Sequence, residues 1–195
     1  MAVVAFAIQP ATPALAGDDN DEFKFDLVSS SPNILPHAHG RVRVESVGPV
    51  EVMNVTVWGL PPNTDFDFFV IQVPHGPFGL SWYQGDVETN RFGVGFGRFV
   101  GRFNDETFIV APGAASAPTP RTAPPFPDAN ANPPTLPVQT YHLGLWFNSP
   151  QDAEKAGFAP TITPFNSEHH AGLQVLNSSN FPDNEGPLFH VKPAH

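Results

Sequence analysis

The sequence contains no cysteine, few basic residues and no long hydrophobic run. Without cysteine, disulfide bonds, thiolate metal ligands and cysteine nucleophiles are all excluded. The sequence has only nine Lys and Arg but 19 Asp and Glu, which gives a net charge of −10. This charge disfavours nonspecific nucleic-acid binding and contact with anionic membranes. A transmembrane helix needs about 20 consecutive apolar residues, and the sequence has no such run. We therefore expect neither nucleic-acid binding nor membrane insertion.

Phenylalanine, proline and glycine are abundant, with 18, 24 and 16 residues among 195. Aromatic and β-branched residues favour strands, and clusters of Gly, Pro and Asn mark the turns between them. The stretches that match this pattern best are residues 55–58, 66–73, 78–83, 94–103 and 139–147. Alternation in the second stretch places Phe68 and Val70 on one side and Phe69 and Ile71 on the other. This pattern predicts a central strand that is covered on both faces.

Two local irregularities are also expected. In residues 50–58 the apolar phase changes midway, which predicts a β-bulge near Met53 and Asn54. The glycines between 93 and 101 leave one face of a strand bare, so that a neighbouring strand or the rings of Trp58 and Trp82 can approach.

Residues 111–138 contain nine prolines. This composition favours polyproline II and excludes a central strand. Fewer than sixty residues follow it, too few for a robust second core, so we expect one domain over residues 22–195 with this stretch as a long surface loop. Ser149, Pro150 and Gly157 are typical of the cap, first position and stop of one short helix. Residues 188–191 are expected to form a final strand.

Residues 1–21 are expected to be an export signal or an extended N-terminal arm. Ala14, Leu15 and Ala16 match a signal-cleavage pattern, although the first basic residue is Lys24. Export predicts a secreted or cell-surface location. If the arm is retained, its apolar residues 2–8 could add a strand to the sheet edge of a neighbouring subunit.

Residues 60–66 (LPPNTDF) resemble the turn that enters a late strand in fibronectin type III and related immunoglobulin-like sandwiches. Phe66 stands where those domains carry a tyrosine, so the hydroxyl that ties their corner is missing. Residues 59–64 (GLPPNT) and 81–86 (SWYQGD) are similar to stretches of secreted bacterial β-sandwich proteins. The resemblances imply an all-β fold, an antiparallel immunoglobulin-like β-sandwich, and a secreted location, but no activity.

Five histidines are candidate metal ligands. His37 and His39 place two imidazoles on one side of an extended segment, a spacing that suits copper or zinc, and His142, His169 and His170 could complete the site. The spacing is similar to that of copper–zinc superoxide dismutase, but the other histidine spacings and the disulfide of that family are missing. The alternative, which we expect, is exposed loop histidines and no cofactor.

Four aromatic residues are candidates for a sugar-stacking platform: Trp58, Trp82, Tyr83 and Trp146. The alternative is that they are core aromatics. A glycosidase pair among the carboxylates at strand ends is conceivable, but nothing distinguishes two of them. The G-x-S-x-G elbow and the phosphate-loop ending are absent.

The sequence therefore predicts a non-enzymatic, exported structural or surface-interaction protein. Its expected partner is another protein or a second copy, as in a self-assembling extracellular or filament subunit. The alternatives are a copper- or zinc-binding protein or metalloenzyme, and a carbohydrate-binding module.

Overall fold

The computed structural model describes residues 22–109, 137–165 and 169–194. The arm at 1–21 and nearly all of the proline-rich stretch lie outside these ranges. The elements are β1 (Glu22–Ser29), β2 (His39–Val47), β3 (Val50–Trp58), β4 (Asp65–Ile71), β5 (Ser81–Glu88), β6 (Gly95–Gly101), β7 (Phe108–Ile109), β8 (Val138–Gln139), β9 (His142–Phe147), α1 (Pro150–Lys155), β10 (Thr163–Phe165), β11 (His169–Ala171), β12 (Gln174–Asn177) and a 3₁₀ helix (Pro187–His190).

Eight strands form one antiparallel sheet in the order β5-β4-β9-β12-β1-β2-β3-β6. The sheet curls until its two edge strands, β5 and β6, lie side by side, joined by one isolated bridge between Thr89 and Gly95. The all-β class and the short helix are confirmed. The immunoglobulin-like arrangement stays a prediction, because these eight strands form a single, nearly closed sheet.

The strand order contains a Greek key. Strands β4, β5 and β6 follow one another along the chain, and β9 returns after a long connection to pair with β4. That connection includes β7 and β8, which pair with each other. Because β9 and β12 lie between β4 and β1, the C-terminal part of the chain completes the same sheet.

The inner face of the sheet holds the main core, and β4 is central as expected. Phe68 and Val70 face this core, while Phe69 and Ile71 lie in a smaller cluster on the opposite face with Trp146. The four β4 side chains are at most 3% exposed. Burial on both faces explains why the strand is almost continuously apolar.

The expected bulge near Met53 is wrong, because β3 pairs with β2 in unbroken register from Val50 to Trp58. The apolar phase changes because Glu51 occupies an inward position and is fully buried. Its carboxylate accepts hydrogen bonds from the backbone N–H of Phe103 (2.9 Å) and of Ala194 (2.6 Å) and from the side-chain amide of Asn104 (2.8 Å). Glu51 thus ties the end of β6 and the C-terminal segment to β3.

A phenylalanine ring occupies the seam between β5 and β6. A Cβ at Gly85 would lie 3.0 Å from the Phe99 ring, and one at Gly97 would lie 2.9 Å from it. Phe99 also stacks on Phe68 at 5.2 Å between centroids. The bare glycine positions therefore admit a ring, as expected, but it is the ring of Phe99.

The helix and the corner before β4 follow from local chemistry. Ser149 caps α1 by accepting a hydrogen bond from the Asp152 N–H (3.1 Å), with Pro150 at the first position. The corner is tied by Thr89, whose hydroxyl accepts from the Thr64 N–H (3.0 Å) and donates to the Pro61 carbonyl (2.7 Å). The strand expected at residues 188–191 is wrong, since Pro187 begins a 3₁₀ helix there.

Candidate functional site

A group of exposed apolar side chains marks the outer surface of β5, β6 and the turn between them. We call Tyr83, Phe92, Phe96 and Val100 the outer patch; Phe92 and Phe96 are 72% and 70% exposed. Most other aromatic side chains of the described residues are buried or half-buried. Contiguous exposed apolar surface is typical of sites of interaction.

The composition of β6 explains the outer patch. Its inward positions are Gly95, Gly97 and Gly101 together with Phe99, whose ring fills the seam. Side chains alternate along a strand, so the other bulky residues of β6 must face outward. Between Phe96 and Val100 the outward row carries one cation, Arg98.

Tyr83 is held by a carboxylate on the same strand. Its hydroxyl donates a 2.6 Å hydrogen bond to Asp86. Burial and this hydrogen bond raise the pKa of Tyr83, because both disfavour the phenolate. The phenol therefore stays protonated and acts as a hydrogen-bond donor rather than a base.

Where β5 and β6 diverge beyond Phe99, the seam opens into a groove of about 500 Å³. We call this the seam groove. It is lined by Val70, Trp82, Gln84, Val100, Gly101, Arg102, Phe103, Thr107, Phe108, Ile109 and Thr140. A second concavity of about 540 Å³ shares Arg102, Thr107 and Phe108 with it. The two concavities therefore adjoin.

Trp82 has an unusual position in this groove. It pairs with Val70, which faces the core, so Trp82 occupies a core-facing position on β5. The seam is open there, and the indole is consequently 61% exposed. A bulge in β5 follows at once, because Phe68 pairs with Gly85 and Phe69 with Tyr83. Gln84 is the extra residue.

The polar groups around the groove are nearly balanced in charge. Arg102 donates to the Pro49 carbonyl (2.9 Å) and to Glu106 (2.7 Å), and the Glu106 side chain is 56% exposed. Thr140 is fully buried, and its hydroxyl has no hydrogen-bond partner in the described part of the chain. Buried hydroxyls normally have partners, so Thr140 is the unexplained polar group of this region.

The five candidate metal-ligating histidines are spread over the molecule. His37 and His39 are exposed, and His39 stacks on Trp58 at 5.9 Å. His170 is exposed in β11, where His169 also lies, on the small hairpin with β10. Within residues 22–109, 137–165 and 169–194, no three His, Asp or Glu side chains are grouped so as to hold a metal ion. Copper or zinc binding stays the alternative hypothesis, which analysis of metal retained after dialysis would test.

His142 is a candidate ligand that lies in the interior. It is fully buried on β9, with Nδ1 2.8 Å from the Ser178 hydroxyl and Nε2 3.1 Å from the Pro182 carbonyl. A carbonyl only accepts, so Nε2 carries the proton and Nδ1 accepts from Ser178. Burial lowers the pKa of His142 to about 4, so the imidazole is neutral at pH 7.

The four aromatic candidates do not form one platform. Trp82 and Tyr83 are neighbours on β5, but Trp82 faces the seam groove and Tyr83 the outer surface. Trp58 ends β3 beside the Thr89–Gly95 bridge, at the opposite end of the seam from Trp82. Trp146 is fully buried, with its ring 5.0 Å from that of Phe78.

No protein-family model and no curated protein matches this chain. In the part of the chain that the structure describes, no helix is long and apolar enough to cross a membrane.

Sequence reasoning missed the groove itself and the buried Glu51. The outer patch did leave a signal in the sequence, because the glycine alternation of β6 implies that Phe96 and Val100 face outward. The seam groove left no signal in the sequence, because it depends on where β5 and β6, the two edge strands of the sheet, diverge.

Proposed function

We propose that this protein is a non-enzymatic, exported structural protein that associates with a second copy of itself through the outer patch. The observation that carries the proposal is the exposure of Phe92 and Phe96, at 72% and 70%, on β6 and the turn that precedes it. Removing such rings from water favours association by about 25 cal/mol for each Å² of apolar area.

The charges on this surface favour a second copy over another partner. Continuing the register of the Thr89–Gly95 bridge places Asp86 opposite Arg98, and the contact between Gly85 and Phe99 agrees with that register. The patch thus carries a cation and an anion side by side. In a twofold contact each copy offers both, so Arg98 of one copy can approach Asp86 of the other.

Two further parts of the proposal rest on the fold and the sequence. The Greek-key order and a core shared by β1-β2-β3-β6 and β5-β4-β9-β12 support an immunoglobulin-like relationship. The cleavage-like residues 14–16 support export.

Sedimentation velocity over a wide range of protein concentration tests the association. We expect the wild-type mass to rise with concentration, and the double variant Phe92→Ser with Phe96→Ser to remain monomeric, because the apolar contact is lost. The matched control replaces two exposed residues elsewhere, Ile34→Ser and Ile162→Ser, which are 54% and 57% exposed.

Circular dichroism should show that both double variants keep the fold, since all four side chains are on the surface. A wild type that stays monomeric throughout would contradict the proposal. So would equal association of the outer-patch variant and the wild type.

A further inference from the structure

We infer that the seam groove binds a neutral oligosaccharide, with the ring of Trp82 as its stacking surface. This inference concerns a different site, which shares Val100 with the outer patch, and it does not depend on self-association. It rests on the position of Trp82, the length of the groove, its charge balance and the bulge in β5.

Trp82 is the first step. Its core-facing position would bury the indole in a closed barrel, but the open seam leaves 61% of the residue exposed at the groove. A flat, exposed indole offers a large apolar area to the C–H face of a sugar ring. Arg102 also lines the groove, and its hydrogen bonds to the Pro49 carbonyl and to Glu106 hold this polar side chain in place.

The shape of the groove favours a chain rather than a single ring. Two concavities of about 500 and 540 Å³ adjoin at Arg102, Thr107 and Phe108, so a ligand of several sugar rings has two neighbouring sites to contact. Small-molecule sites generally measure about 300–1,000 Å³ and alternate apolar walls with a few polar groups. Here the amide of Gln84 and the carboxylate of Glu106 supply hydrogen-bonding groups along that length.

The charge distribution favours a neutral ligand. Arg102 and Glu106 form an ion pair of 2.7 Å, which leaves no net positive charge in the groove. The chain as a whole carries −10, which repels sulfated sugars, nucleic acids and other polyanions.

The backbone disfavours the alternative occupant, an extended peptide added as a strand. Strand addition needs a regular sheet edge. The bulge at Gln84 interrupts β5 beside the groove, and bulges of this kind twist an edge away from pairing.

Mutation of two exposed tryptophans should have different effects on sugar binding. Trp82 lines the groove, while Trp58 is exposed at the opposite end of the seam and stacks only on His39 among the described aromatic rings. Both are surface tryptophans, so Trp58→Ala is a matched control for Trp82→Ala.

Isothermal titration calorimetry with neutral hexasaccharides tests the inference. The probes are the β-1,4-linked hexamers of glucose, N-acetylglucosamine and xylose, and the α-1,4-linked hexamer of glucose. We expect at least one to bind the wild type, and Trp82→Ala to weaken its binding about tenfold or more, as loss of a stacked ring and its buried area would do. Trp58→Ala should bind as the wild type does.

The Phe92→Ser, Phe96→Ser variant separates this inference from self-association. It should lose association and keep sugar binding, since neither residue lines the groove. The inference is overturned if none of the probes binds, if both tryptophan variants weaken binding equally, or if only a heparin-type polyanion binds. Binding of an apolar peptide that Trp82→Ala abolishes, without binding of any sugar, would assign the groove to peptides instead.

Discussion

The buried carboxylate of Glu51 gives the sharpest test of the fold. It accepts three short hydrogen bonds, from Phe103, Asn104 and Ala194, and is fully buried. In Glu51→Gln one oxygen is replaced by an N–H₂ group that must face a donor. The change loses at least one hydrogen bond to a charged group, worth about 1.5–3 kcal/mol, and leaves a buried donor unsatisfied. We expect a loss of about 3 kcal/mol in the free energy of unfolding.

Urea unfolding at pH 7, with the midpoint and slope compared with wild type, measures this loss. The matched control is Glu106→Gln. Glu106 forms an ion pair with Arg102, at 2.7 Å, but its side chain is 56% exposed. Exposed ion pairs are worth about 0–1 kcal/mol. If the two variants have equal midpoints, Glu51 is not the buried tie between β3, β6 and the C-terminal segment.

Two further predictions concern stability. The pKa of His142 is about 4 in the fold because the ring is buried, against about 6.5 in an unfolded chain, so the unfolded state binds more protons between these values. The free energy of unfolding should therefore fall by about 3 kcal/mol as the pH drops through that window. Urea titrations at several pH values should show a shallower pH dependence of this free energy in His142→Asn than in the wild type. An equal pH dependence in the two proteins would refute the prediction. Phe68→Ala and Phe69→Ala should each lower the free energy of unfolding by about 3–5 kcal/mol, measured from the urea midpoint. The exposed control Phe96→Ala should lower it by about 0.5 kcal/mol or less. If both core variants are nearly as stable as the wild type, β4 is a peripheral strand.

Local patterns in the sequence predicted the elements whose chemistry is local. The alternation of Phe68, Phe69, Val70 and Ile71 placed β4 correctly, and the cap of α1 followed from Ser149. These succeed because side-chain direction and capping depend only on near neighbours.

The features that were predicted wrongly, or not at all, depend on residues far apart in the sequence. The apolar pattern of β3 could not show that Glu51 faces inward, because its three donors lie more than fifty residues away along the chain. A bulge was therefore predicted where β3 is regular, and the register shifts at Gln84 in β5 and between Gln174 and Leu176 in β12 were not predicted. Trp82 could be placed in a strand, but its exposure depends on a seam that no local pattern records.

The single bridge between Thr89 and Gly95 has a mechanical consequence. A barrel closed by hydrogen bonds along its whole length cannot change its radius unless those bonds break. Beyond this bridge, side chains make the contacts described between β5 and β6: the ring of Phe99 lies against Gly85, and the Val87 side chain lies against Gly97. Such side-chain contacts can slide where a hydrogen-bond ladder cannot. The cylinder can therefore widen at the end that carries Trp82 while its opposite end keeps a fixed circumference.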